Sequence, residues 1–336
     1  KTSVMRQTML PTSEPEPPLE YNQELYDWVK KYFRPKTKDL RHVAQMVHDQ
    51  LIVGVESFPI RNHEKLSEIM GGFRPGEFTI LCGSTGAGKT TLCSNWSASF
   101  LVQKIPQLIM SVETGPVDYV TRMLSALDQN DYNGGEAITI EARDLLFKKW
   151  GTYLHEFFTY VGLYINRVPM KDLLYEIIEA ANNGVKVVIL DNLNYFLEVT
   201  SAQNQLIETD KVLHELIILT KSLNIHCIMI MHPKKTETGR VEDEFDIKGS
   251  STAVQEAFNV LLFNRPSQRQ IDAGVCDYSD RELKLVKSRH RGKHVGSSVI
   301  YGQKNSVFYY EKAKYTFLEM REKTKSESKT KRGFTE

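Results

Sequence analysis

The residues best equipped for chemistry lie between Gly83 and Thr91, where the chain reads G-S-T-G-A-G-K-T-T. They follow the apolar run Phe78-Thr-Ile-Leu-Cys82 and lead into a helical pattern that begins near Lys89. Strand, glycine-rich loop and helix in that order is the arrangement of a phosphate-binding P-loop. Gly83, Gly86 and Gly88 let the backbone turn successive N–H groups onto phosphate oxygens, with Ser84, Thr85 and Ala87 completing the cradle. The helix N-terminus adds partial positive charge. Lys89 brings a mobile cation to the β- and γ-phosphates, the Thr90 hydroxyl is a ligand for Mg²⁺, and Thr91 shares the first turn. An ordinary glycine turn is the competing reading, but few such turns sit between a strand and a helix. The expected ligand is ATP, or another nucleoside triphosphate, with Mg²⁺.

Three further strands end in polar residues. Val187-Val-Ile-Leu-Asp191 closes on an acid, the second anchor a P-loop Mg²⁺ needs. Asn192, Asn194 and Tyr195 follow, so Asp191 is expected among polar groups rather than in a core; a turn or helix-cap aspartate is the alternative. Ile109-Met-Ser-Val-Glu113 comes directly after the P-loop helix, where an acid in RecA-type ATPases activates the attacking water, which makes Glu113 the candidate base. His226–Met231 runs into His232, placed to sense a γ-phosphate by switching hydrogen-bond partners. His226 reads as structural.

The polar stretch from Lys234 to Gly249 follows that sensor. Lys234, Lys235, Arg240 and Lys248 are candidates for DNA phosphates, with Gly249 and Ser250 offering backbone N–H groups. The acids Glu237, Glu242, Asp243, Glu244 and Asp246 argue equally for a solvated loop. Gln255, expected at the start of the next helix, is a candidate relay between nucleotide and loop. Last, Lys284-Leu-Val-Lys287-Ser-Arg289-His290-Arg291 ends a strand in cations. On the far edge of a domain these have no use for their own P-loop. Arg289, with Lys287 beside it, makes sense as a finger entering an adjacent subunit's site; a solvated or DNA-facing turn is the alternative.

The elements that must hold these residues alternate. Strands are expected at Phe78–Cys82, Gln107–Val112, Val185–Leu190, His226–Met231, Asn259–Phe263, Glu282–Val286 and Ser297–Tyr301. Helices are expected at Thr90–Val102, Val117–Leu127, Lys171–Asn182 and Leu206–Leu223. Short apolar strands separated by helices predict an α/β fold with a mostly parallel sheet covered on both faces, and the late strands predict an antiparallel extension. Residues 1–18 read as a disordered Pro/Glu-rich linker, 19–52 as amphipathic linker helices, 53–315 as the motor domain and 316–336 as a basic disordered tail. The formal net charge of +1 means that any nucleic-acid surface must be local. The four cysteines are far apart, without a C-x-x-C pair, and read as core thiols. No apolar stretch approaches the roughly 20 residues of a membrane span. Lys1 in place of methionine, with no signal-peptide pattern, reads as a processed or excised piece.

Taken together, Gly83–Thr90, Ser111-Val-Glu113, Leu190-Asp-Asn192, Met231-His-Pro-Lys-Lys235, Lys248-Gly-Ser-Ser251 and Val286-Lys-Ser-Arg289 resemble the motif set of the DnaB-like ring helicases, with their RecA-like P-loop NTPase core. Within that superfamily the His232-Pro-Lys-Lys run, Gly249–Leu262 and Gln303–Val307 are most similar to the Twinkle-like mitochondrial replicative helicases. The resemblance covers roughly residues 50 to 310. It implies a hexamer or related ring with ATP between subunits, a linker helix docked on the neighbour, central loops holding single-stranded DNA, and work at replication forks with replisome proteins. Carried over by position, it implies Lys89 and Thr90 on phosphate and Mg²⁺, Glu113 as base and Asp191 as metal anchor. It further implies His232 as sensor, Gln255 as relay and Arg289 as finger. It implies a mitochondrial location, with a bacterial cytoplasm or a phage-infected cell as the alternative. The chain departs from the family at His290, where an aromatic residue usually follows the finger, and in the basic turn Arg291-Gly-Lys293-His294. Arg289 and Arg291 therefore compete for the finger role. The RecA-like recombinases and a P-loop regulatory ATPase that binds a protein partner are the rival readings.

Overall fold

A computed structural model of the chain describes residues 54–132, 138–162, 170–192, 202–234, 240–241, 243–247, 251–304 and 308–312, besides Val47, Gln50 and Leu51, which are helical. All of them belong to the compact unit that begins at Thr37. The expected linker at 1–18, most of 19–52 and the tail at 316–336 lie outside the described residues.

In chain order the elements begin with α1 (Glu64–Met70), β1 (Phe78–Cys82), α2 (Lys89–Val102), β2 (Gln107–Ser111) and α3 (Pro116–Asp128). There follow α4 (Ile140–Phe157), β3 (Phe158–Gly162), α5 (Met170–Asn182), β4 (Val187–Asp191), α6 (Ala202–Leu223) and β5 (His226–Met231). The chain continues through α7 (Ser251–Glu256), β6 (Asn259–Asn264), α8 (Gln268–Asp272), β7 (Arg281–Ser288), β8 (Ser298–Lys304) and β9 (Phe308–Glu311). The strands form one nine-stranded sheet in the order β3-β2-β4-β5-β1-β6-β7-β8-β9. From β3 to β6 every pairing is parallel, and from β6 to β9 every pairing is antiparallel.

Every residue of β1, β2, β4, β5 and β6 is buried, because helices cover both faces of the parallel half. Each buried Ile, Leu or Val contributes about 2 kcal/mol from the water its side chain leaves. Helix α2 runs through the core and is buried almost all round, from Lys89 to Leu101. Its Trp96 and Phe100 meet Phe73 edge-on, with ring centroids 5.3 and 5.7 Å apart. The buried Ser97 hydroxyl is satisfied by Tyr119 of α3 at 2.8 Å, which ties the first crossover to the second. All four cysteines are free and buried, as their apolar settings predict. Among the described residues, no helix is long and apolar enough to cross a membrane.

The α/β architecture and the antiparallel extension match the sequence expectation; α1, α4, α8, β3 and β9 were not expected. Helix α4 buries only Leu146 fully, so its apolar period is weak. Strand β3 starts at the next residue, Phe158, where the backbone simply turns extended, without a glycine or proline to mark the change.

Candidate active site

The site is assembled at the carboxyl ends of the parallel strands. Cys82 ends β1 beside β6, and a Cβ on Gly83 would lie 2.1 Å from the Phe263 carbonyl oxygen, so only glycine passes. Gly88 sits at φ +95° where α2 begins, and a Cβ there would lie 2.1 Å from the Tyr309 hydroxyl. Arg281 Nε donates to the Ala87 carbonyl at 2.8 Å, so the loop is braced from behind by β7 and β9. Sequence reasoning missed Arg281 and Tyr309, whose partners lie about two hundred residues away. Gly88 provides no side-chain cap, which leaves the first N–H groups of α2 facing the loop.

Lys89 folds back over that loop and donates from Nζ to the carbonyls of Gly83 at 2.7 Å and Ser84 at 3.2 Å. Burial lowers its pKa, against the opposing pull of Cys82, Asp191 and Glu113. Thr90 Oγ1 donates to Asp191 Oδ2 at 2.8 Å across the top of the sheet. Asp191 is only 1 % exposed, and the groups that act on it, Thr90, Glu113, Lys89 and His232, are polar. Its carboxyl is pushed up to about 6, chiefly by burial and also by Glu113, while Thr90, Lys89 and His232 oppose. Among the described residues its other oxygen, Oδ1, is buried without a hydrogen-bond partner. An orphaned carboxylate oxygen beside a threonine hydroxyl is the hard, all-oxygen donor set that suits Mg²⁺, so the residues present fit that ion.

Strand register brings the remaining groups together. Ser111 of β2 pairs with Asp191 of β4, and Val112 N donates to the Asp191 carbonyl at 3.0 Å, so Glu113 emerges next to Asp191. Ser111 Oγ accepts from Thr114 N at 3.1 Å, and Tyr160 donates to the Thr114 carbonyl, pinning the turn that carries the acid. Glu113 Oε1 accepts from Asn192 Nδ2 and lies 3.4 Å from His232 Nε2. Asn192 Nδ2 also lies 3.0 Å from His232 Nε2. The hydrogen bond with His232 holds the Glu113 carboxyl below its usual range, against the effect of burial and with help from Lys89 and Asn192. Lys89, Thr90, Glu113, Asp191 and His232 thus converge. Asn192 joins them as a link that its place directly after Asp191 could have suggested.

The other candidates stand elsewhere. Ser288 at the end of β7 pairs with Asn259 at the start of β6, the sheet edge opposite Cys82 and the P-loop. There Lys287 Nζ donates to the carbonyls of Val254, at 2.9 Å, and Gln255. Arg289 Nη2 donates to the carbonyls of Gln255 and Glu256 at 3.1 and 3.0 Å, and its guanidinium lies 5.1 Å from the Phe258 ring centroid. Both cations cap the carbonyl end of α7. Gln255 is the penultimate residue of α7 rather than its first, and lies with Arg289, away from its own chain's Lys89. Lys234 is exposed and donates from Nζ to the Phe245 carbonyl at 2.8 Å. Lys235, Lys248, Gly249 and Ser250 lie outside the described residues. Arg240, expected to face DNA, is turned inward: Nη2 pairs with the buried Glu282 at 2.9 Å and Nη1 donates to the Arg265 carbonyl. A buried carboxylate needs a partner, and the guanidinium supplies it.

Comparison with known proteins agrees with this fold. One solved ATPase domain aligns with a TM-score of 0.66 at 12% identity, covering 83% of this chain and all of that one. A DnaB-like replicative helicase solved to show its interactions with primase aligns at 0.62 and 11%, covering 86% and 70%. The RadB recombinase aligns at 0.50 and 14%, covering 75% and 100%. These likenesses show the RecA-like fold. The replicative DNA helicase DnaB of Leifsonia xyli subsp. xyli (strain CTCB07) is 24% identical over 238 residues, 68% of this chain. The chain spans about half the length of that curated relative. The DnaB-like helicase C terminal domain matches residues 61–309, most of the sequence and every element that builds the site, and the chain belongs to that family.

Proposed function

We propose that the chain is the ATP-hydrolysing motor of a ring-forming replicative DNA helicase that moves along single-stranded DNA and unwinds duplex. One observation carries the reading. Phosphate, metal and base residues gather at the carboxyl ends of the parallel strands, while Arg289 stands at the opposite end of β6, away from its own chain's Lys89. Lys89 leaves the Gly83 and Ser84 carbonyls for the β- and γ-phosphates. Thr90 and Asp191 would hold Mg²⁺, which would neutralise phosphate charge. Glu113 orients the attacking water and takes its proton, and His232, sharing Asn192 with Glu113, registers loss of the γ-phosphate. Arg289 of a neighbour stabilises charge in the transition state, which makes hydrolysis depend on assembly, expected to be a hexamer. Lys234, Lys235 and Lys248 track the strand through its phosphates, without sequence preference.

Family membership supports this reading over a recombinase of the same fold. Strand exchange without unwinding would favour the recombinase instead. The motifs around His232 and Gly249 support a Twinkle-like helicase working in the mitochondrial matrix; the alternative is a bacterial or phage replisome. Imaging the full-length protein in its own cells tests this, since a distribution separate from mitochondrial DNA sinks it. The motor itself is tested by fork unwinding with ATP, with Lys89→Ala as the inactive control. Unwinding by that variant as fast as wild type would refute it.

A further inference from the structure

Between β5 and α7 the chain builds a turn whose most exposed side chain the motor leaves unexplained. Val241 and Ile247 are both buried. Asn264 of β6 clamps Val241, accepting from its N–H at 3.1 Å and donating to its carbonyl at 2.8 Å. Ile247 bridges to Pro233, and Lys234 N donates to the Asp246 carbonyl at 2.7 Å. Asp243 Oδ1 accepts from Phe245 N at 2.9 Å and caps the short 3₁₀ turn Glu244–Asp246. With both ends anchored, Phe245 is nevertheless 64 % exposed. Among the described residues, no ring or cation packs on its face. A lone exposed apolar residue is ordinary. What sets Phe245 apart is a fixed backbone beneath it and a cation at its side, since the exposed Lys234 donates from Nζ to the Phe245 carbonyl at 2.8 Å. The carboxylates of Asp243 and Asp246 are turned onto backbone N–H groups of the same turn.

We infer that Phe245 is a stacking platform for a base of single-stranded nucleic acid, with Lys234 beside it for an adjoining phosphate. A nucleotide joins a flat aromatic face to an anion through one sugar, and the turn offers an aromatic face and an ammonium group side by side. An apolar groove of a protein would take the ring and leave the ammonium unmatched. Stacking is tolerant of sequence, because every base has a π-face, so it suits a motor that does not read the strand it follows. Lys234 lies two residues beyond His232, so a base on Phe245 would rest on the segment that leaves the γ-phosphate sensor. The inference rests on the helicase reading and adds to it, since tracking through phosphates alone has no use for an exposed ring.

The test titrates the full chain, with a non-hydrolysable ATP analogue, against oligo(dT) and against a strand of the same length whose sugars carry no bases. Wild type binds oligo(dT) more tightly than the abasic strand. Phe245→Ala loses about tenfold on oligo(dT) and keeps its abasic affinity within about twofold. Its slope of log affinity against log salt stays that of wild type, because no phosphate contact is removed. Phe245→Trp restores the affinity, and its added fluorescence is quenched by oligo(dT) but not by the abasic strand. Both variants melt as wild type does, since the ring is exposed. Equal oligo(dT) binding by wild type and Phe245→Ala, without quenching in Phe245→Trp, overturns the platform and leaves the helicase reading standing. Equal losses on both strands, or a Phe245→Ala chain that no longer assembles by light scattering, also overturns it and assigns the ring to a contact between copies. A wild type that binds neither strand sinks the helicase reading, and the platform with it.

Discussion

Replacing Asp191 by asparagine should make the protein more stable at neutral pH while removing its response to Mg²⁺. The reason is the cost of keeping that carboxylate ionised in the core. Raising the carboxyl from 3.8 to about 6 corresponds to about 3 kcal/mol, at roughly 1.4 kcal/mol for each pH unit. The folded state binds the proton more tightly than the unfolded chain. The group's contribution is therefore fully present below about pH 4 and is lost as pH rises through about 6. At about pH 7.5 the wild type carries the whole penalty. The substituted asparagine would keep an acceptor for the Thr90 hydroxyl, but its amide brings a buried donor that costs about 1 to 2 kcal/mol. The net gain is about 1 to 2 kcal/mol, or roughly 2 to 4 °C in melting temperature for a domain of this size. Calorimetry in chelator at about pH 7.5 and again at about pH 4.5 measures it. The gain should vanish or reverse at the acid end, and added Mg²⁺-nucleotide should raise the melting temperature of the wild type only. A variant that melts lower at neutral pH, or a difference that ignores pH, would refute the reasoning.

Further tests follow from single contacts. Arg240→Ala should destabilise by about 3 kcal/mol, because it strands Glu282, and should leave single-stranded DNA affinity within about twofold; weaker DNA binding with an unchanged melting curve would return Arg240 to the DNA-facing loop. His232→Ala frees Glu113 from the hydrogen bond that lowers its pKa, so the acid limb of the hydrolysis profile should move to higher pH; an unmoved limb would separate the two residues. Gly88→Ala meets both the positive φ and the Tyr309 hydroxyl, and should weaken nucleotide binding at least tenfold by calorimetric titration; near-normal affinity would mean that the loop relaxes freely.

The nucleotide-binding half of the site was legible because its chemistry is local. Gly83 to Thr90 lie in one stretch between a strand and a helix, and Glu113, Asp191 and His232 each follow an apolar run. What the sequence could not reveal is what the sheet brings together from afar. The bracing of the P-loop by Arg281 and Tyr309 depends on a strand order that places β1 between β5 and β6. Polar neighbours in sequence placed Asp191 outside the core, yet the pairing of β2 with β4 buries it among polar groups brought from elsewhere in the chain. Arg240 sits in a stretch as polar as any DNA-binding loop, and only the buried Glu282 explains its inward turn. Helix α4 was not legible because exposed Ile140, Leu145 and Phe147 blur the amphipathic period.

The central claim is that one chain holds half of each catalytic centre. It is tested most directly by ATP hydrolysis with and without single-stranded DNA, for wild type and Arg289→Ala, with mass followed by light scattering. The account predicts an assembled, DNA-stimulated wild type, and a variant that still assembles and binds nucleotide but does not turn over. A monomer whose hydrolysis ignores both DNA and the loss of Arg289 would contradict it.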